Sequence, residues 1–267
     1  MSALRSSLVG RGLTDDRLGV HDLDVLRTLA AVRTASSDQL ARLHFPSESV
    51  RAHQRCLARL SHQRLVTRVA RRVGGITPGS TPWAYGLSLK GQRLLGIAGP
   101  RGGRARSPWV PSPLFLRHTL LITEVYVSAV EVTRERDVRV SDFVTEPDCW
   151  RFLADGTRVR PDAELCMSGP EFEDRYLVEA DCGTEGPSAI KRKLVLYRRL
   201  FQAGTEQETL GVFPQVLFVT LDDGRRAQIE SQVKRVDEDV RPIFRVTHLS
   251  SLPALLRWGP EGEVKSC

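Results

Sequence analysis

The chain contains no CxxC pair, and its five cysteines, at 56, 149, 166, 182 and 267, are odd in number and widely spaced. That pattern argues against a disulfide framework and a structural zinc site, and it fits a reducing cytosol. No apolar run reaches the roughly 18 residues that a membrane helix needs, so no membrane partner is expected. The opening stretch MSALRSSLVGRGL lacks the apolar segment and cleavage site of a signal peptide, and a cytoplasmic location is expected. GxxxxGK and GxGxxG are both missing, which removes the common phosphate-cradling loops. No Ser-His-Asp arrangement is legible. Tyr126, Tyr176 and Tyr197 are isolated, without the histidine triad of a covalent tyrosine relaxase. His44, His53 and His62 point in different directions at their spacing and make no metal site.

Lysine is also scarce early on, where Lys90 is the only one in residues 1–110. This stretch nevertheless holds 18 Lys and Arg against 6 Asp and Glu, whereas residues 111–267 hold 21 against 26. A chain so divided presents one part to a polyanion and reserves the other for a different task. With 41% hydrophobic residues it has the material for a packed core.

Residues 96–113, GIAGPRGGRARSPWVPSP, have no periodicity and read as a linker rich in Gly, Pro and Arg. The charge balance changes sign close by, giving an N-terminal domain over 1–95 and a C-terminal one over 114–267. In the first, HDLDVLRTLAAVRTA, SSDQLARLHF and ESVRAHQRCLARLSHQR carry helical apolar spacing. Val50, His53, Leu57 and Leu60 are expected on the inner side of the third helix. LVTRVARRV and WAYGLS then alternate as strands around a GGITPGSTP turn. Three helices followed by a hairpin is the order of a winged helix-turn-helix. Its third helix would bring Ser47, Ser49, Arg51, Gln54 and Arg55 to a DNA major groove, with Arg59 on the same outer face. Arg68, Arg71 and Arg72 would lie on the wing. Double-stranded DNA is the expected partner, because a helix reads the B-form major groove and not the A-form one.

The second half reads as a long helix over 113–135, strands over 137–146, 159–167 and 175–181, a helix over 187–202, a strand over 213–222 and a further helix. A last strand or connector follows over 243–252. This is an α+β or α/β order with a mixed sheet. YLVEADCGTE (176–185) poses its main question, since a strand with an apolar start carries Glu179 and Asp181 on one face. RPDAELCM (160–167) does the same with Asp162 and Glu164. Adjacent strands would gather these carboxylates, which repel unless a cation lies among them. Oxygen-only ligands suit Mg²⁺ or Mn²⁺, with Asp162, Glu179 and Asp181 as the candidate metal ligands. The plainer alternative is that the acids pair with Arg158, Arg160 or Lys191.

The constellation resembles the PD-(D/E)xK nuclease superfamily, with Pro161-Asp162 in the place of its PD and Glu179-Ala180-Asp181 on its (D/E)xK strand. Asp181 stands where that pattern has lysine. The resemblance implies that Lys191 or Lys193, on the next helix, supplies the missing cation. A longer run of blocks, LARLHFP, FLRHTLLITEVY, TEPDCW, RPDAEL, VEADCGTE and KLVLYRRL, resembles the replication-relaxation family, which is similar to MOBC relaxases. That resemblance implies a DNA-binding protein of plasmid or mobile-element replication or transfer, with metal-dependent nicking at an origin as its sharper form. It also implies that Glu124 joins Asp162 and Glu179. Relaxosome or replication proteins, and a homodimer, are the further partners considered. The alternative is a non-catalytic DNA-binding accessory or regulatory protein whose nuclease-like domain mediates dimerisation or recruits a partner.

Overall fold

The computed structural model describes residues 18–71, 83–97, 112–135 and 137–258, with the side chains of Ala70 and Arg71 outside the description. The chain is a mixed α+β protein that divides into two compact units, Met1–Val127 and Ser128–Cys267. This division falls past the segment that the sequence marks as a linker, of which residues 98–111 lie outside the described residues.

The first unit runs α1 (Val20–Val32), β1 (Thr34–Ser36), α2 (Ser37–His44), α3 (Val50–His62), β2 (Val66–Arg71), β3 (Trp83–Leu87) and α4 (Leu89–Leu94). It ends within α5 (Pro113–Thr133). α2 begins where the sequence offers SSDQ. The Ser36 hydroxyl accepts the Gln39 N–H, and the Gln39 side chain accepts the Ser36 N–H in return, so two orphan donors are satisfied together. α3 buries His53, Cys56, Leu57 and Leu60 as one stripe. Val50 departs from its expected inward place and is 69% exposed, because it is the first residue of the helix, a turn ahead of that stripe. Antiparallel pairing in the order β1-β3-β2 makes a small sheet, with β1 a short strand that the sequence reading did not foresee.

The second unit takes the rest of α5, then β4 (Arg139–Thr145), β5 (Arg151–Phe152), β6 (Arg158–Val159), β7 (Ala163–Ser168) and β8 (Glu173–Asp181). It continues with α6 (Pro187–Ala203), α7 (Thr205–Leu210), β9 (Gln215–Thr220), α8 (Asp223–Val233), β10 (Phe244–His248) and α9 (Leu252–Trp258). Its five-stranded sheet has the order β10-β9-β8-β7-β4. β4, β7 and β8 pair antiparallel, while β8, β9 and β10 are parallel. Parallel neighbours need long crossovers, and α6 with α7, then α8, supply them. One core cluster joins Leu177 of β8, Val216 and Phe218 of β9, and Phe244 of β10 to Ile190, Leu194, Tyr197 and Leu200 of α6 and Ile229 of α8. Burying each large apolar side chain in such a cluster contributes roughly 1.5–3 kcal/mol. Odd-numbered residues of β8 therefore face α6 and α8, which fixes where its acids go.

Candidate active site

The register of β7 against β8 pairs Ala163 with Val178, so Asp162, one residue before β7, lies across from Glu179. The Asp162 N–H donates to the Val178 carbonyl at 2.9 Å, and its Oδ2 accepts the Ala180 N–H at 2.8 Å. Two carboxylates thus meet at the C-terminal end of β8, where α6 begins its crossover.

Glu179 is 2% exposed, and both of its oxygens are engaged by α6. Lys193 Nζ donates to Oε2 at 2.7 Å, and the Tyr197 hydroxyl donates to Oε1 at 2.5 Å. Lys193 and Tyr197 are four residues apart and so share one helical face. Lys193 also lies 3.0 Å from Glu185 Oε2. Burial pushes the Glu179 carboxyl up, the Lys193 charge pulls it back, and the Asp162 charge pushes it up again, leaving it at about 7. Burial lowers Lys193, but Glu179, Asp162 and Glu185 outweigh this and hold the ammonium above its ordinary value. Burial, reinforced by Glu179, keeps the Tyr197 phenol protonated, as its role of donor requires.

Asp181 shares the face of Glu179 but meets a different helix. The Arg225 fork of α8 grips it with Nε to Oδ1 at 2.8 Å and Nη2 to Oδ2 at 2.7 Å, and Oδ1 also accepts the Gly183 N–H. Glu164 is paired with Arg151 at 2.8 Å, and Arg151 also grips Glu206. Glu164, Glu179 and Asp181 are therefore paired, with Arg151, Arg175, Lys193 and Arg225 rather than with Arg158, Arg160 or Lys191. Glu124 is held in the first unit, where Gln39 donates to its Oε2 at 2.8 Å and Arg42 pairs with its Oε1.

Among the described residues no group of three His, Cys, Asp or Glu side chains gathers as a metal site. Asp162 and Glu179 alone still suit a divalent cation, since Mg²⁺ commonly takes one or two carboxylates with water and phosphate completing its shell. The upward push that Asp162 gives Glu179 is the repulsion such an ion relieves. Asp181 is the poorer ligand, because the Arg225 fork and the Gly183 N–H make three hydrogen bonds to it, whereas Glu179 accepts two, one on each oxygen. Sequence reasoning set Tyr197 aside as isolated and overlooked Arg225. The spacing of Lys193 and Tyr197 was the available signal for the first, and nothing local marked the second.

In the first unit Ser47, Ser49, Arg51, Gln54 and Arg55 are exposed, the last four as the N-cap and outer face of α3. Arg59 is turned to a structural task. It forks the wholly buried Asp22 at 2.8 and 2.6 Å, which with the Cys56 thiol and the Gly19 N–H holds that carboxyl below its ordinary range despite burial. Arg68 is exposed with its guanidinium 5.2 Å from the Trp83 ring centre. The Arg71 side chain and the whole of Arg72 lie outside the described residues.

These features define a class: an α+β protein with an arginine-studded first unit and, in its second, an aspartate and a glutamate opposed on neighbouring strands beside a lysine from the following helix. A family model described as Replication-relaxation matches residues 26–216, more than half of the chain, and the chain belongs to that family. The match takes in Asp162, Glu179, Lys193 and Tyr197 and stops short of Arg225. No curated protein and no solved structure matches the chain. Membership implies a role in plasmid or mobile-element replication, with DNA and replication proteins as partners. Among the described residues no helix is long and apolar enough to cross a membrane.

Proposed function

We propose that the protein binds double-stranded DNA through its first unit and nicks it, with a divalent cation, at the acidic site of its second. The observation that carries this reading is the meeting of Asp162 and Glu179 across β7 and β8 with Lys193 Nζ 2.7 Å from Glu179. In this reading the second unit is a PD-(D/E)xK-like fold whose lysine comes from α6 rather than from the strand.

The first unit acts as a winged helix. α3 has the order and position of a recognition helix, and its exposed Arg51, Gln54 and Arg55 suit base edges and phosphates. Arg68, on the hairpin of β2 and β3, serves the wing. Asp162 and Glu179 would hold Mg²⁺ or Mn²⁺, which would supply a polarised water and positive charge beside the phosphodiester. Lys193 keeps its proton and neutralises Glu179, and the N–H not directed at Glu179 or Glu185 is the group to meet the phosphate. Tyr197 fixes the rotamer of Glu179 from the other oxygen.

The test is conversion of supercoiled plasmid carrying the protein's own origin region to open circles in Mg²⁺, Mn²⁺ or EDTA. Metal-dependent circles from the wild type are expected, with a loss on the order of 10³-fold or more in Asp162→Ala, Glu179→Ala and Lys193→Ala. A non-catalytic accessory role is favoured by one observation, the closure of both Glu179 oxygens by Lys193 and Tyr197. Its signature is intact supercoils throughout, with DNA binding unchanged in all three variants.

A further inference from the structure

Four cations around the acidic end of the second sheet are engaged, while Arg158 and Lys191 have no acid paired to them among the described residues. Arg151 serves Glu164 and Glu206, Arg175 serves Glu164 and Glu173, Lys193 serves Glu179 and Glu185, and Arg225 serves Asp181. Arg160 is also exposed with no acid among the described residues paired to it, but its guanidinium stands 4.8 Å from the centre of the Trp150 ring. Stacking on an aromatic face fixes the plane of a guanidinium without neutralising it, and leaves its N–H edge directed outward for an acceptor.

Its position is close to the proposed site. Arg160 precedes Asp162 by two residues, which limits their Cα atoms to about 7 Å apart. The Trp150 segment is tied to the same stretch, because the Cys149 thiol donates to the Pro161 carbonyl at 3.2 Å. Trp150 also buries its indole Nε1 with no acceptor among the described residues. A phenylalanine would fill this place without that desolvated N–H, but indole offers the stronger face to a cation. A DNA strand approaching the site meets repulsion from Asp162, since Lys193 already neutralises Glu179, and an unneutralised guanidinium two residues from Asp162 opposes it.

We infer that Arg160, held over the Trp150 ring, forms a phosphate-binding subsite for the DNA strand that enters the acidic site. This rests on the reading that the second unit meets DNA. The contact is one of charge and geometry with a phosphodiester and reads no base.

The test uses the full chain in EDTA, with the affinity for a short fluorescein-labelled duplex followed by anisotropy across a range of salt. Arg160→Ala and Arg160→Lys are compared with wild type, each also in an Arg51→Ala/Arg55→Ala background so that the first unit does not mask the effect. Arg160→Ala is expected to reduce the magnitude of the log K against log salt slope by about 1, while Arg160→Lys keeps the slope. Wild-type affinity and slope for Arg160→Ala in both backgrounds overturn the subsite, even where the wild type nicks plasmid. A changed slope beside a wild type that never nicks leaves the subsite standing and removes the catalytic reading.

Discussion

Arginine does opposite work in the two units. In the first, Arg51 and Arg55 stand in water with no acid among the described residues paired to them, while Arg59 holds the buried Asp22 and Arg42 holds the partly covered Glu124. In the second, the acids go inward and Arg151, Arg175 and Arg225 are drawn in to meet them. An exposed guanidinium loses little solvation and remains available to a polyanion. A buried pair loses hydration on both sides and recovers it only in good geometry, so it serves position better than net stability. The charge asymmetry of the sequence is thus a difference in use as well as in number.

The largest effect should come from breaking the second pattern. Arg225→Met leaves Asp181 buried without its fork, and a loss of roughly 3–5 kcal/mol is expected in denaturant unfolding. Adding Asp181→Asn should restore much of that loss. A single variant as stable as the wild type would show that the fork is not needed to hold α8 to β8.

Acidity separates the units by sign. Glu179 is raised from 4.5 to about 7, so between those pH values the folded protein keeps a proton that the unfolded chain has released. Stability therefore falls as pH rises across this window, by on the order of 3 kcal/mol. Lys193, raised above 10.5, contributes a constant amount over that range. Asp22 is lowered below 3.8, so its contribution is present above that value and is lost as pH falls through its folded value. Unfolding measured from pH 4.5 to 7.5 should show the downward trend in wild type and its removal in Glu179→Gln. Parallel curves for the two proteins would contradict the assignment.

The smallest effect belongs to the first unit, where each exposed arginine acts alone. Arg51→Ala and Arg55→Ala should each weaken DNA binding by about 1–3 kcal/mol with unfolding midpoints unchanged. An unaltered gel shift in both would remove α3 as the reading helix.

Much of this architecture was legible. α3 and α6 announced themselves by apolar spacing, and β9 by its continuous apolar run. β1 escaped because three residues, Thr34–Ser36, show no alternation and exist only by pairing with β3. α7 and the β5–β6 hairpin were too short to carry a period. Alternation told correctly that Glu179 and Asp181 share a face, but it carries no information on which helix covers each residue. Asp181 therefore read as a third ligand, although Arg225, forty-four positions away, closes it. Tyr197 looked isolated for the same reason, since its partner Glu179 is eighteen positions away on another element.

The sharing of β8 between two helices has a consequence for folding. Tyr176, Leu177, Val178 and Ala180 are buried on both faces of the sheet, so hydrophobicity alone barely distinguishes this strand from the same strand displaced by one residue. Polarity does distinguish them. A one-residue displacement turns Glu179 away from Lys193 and Tyr197 and Asp181 away from Arg225, stranding two cations and a phenol in an apolar layer. The carboxylates of YLVEAD thus act as an alignment key, rejecting misthreaded pairings that greasy side chains would tolerate.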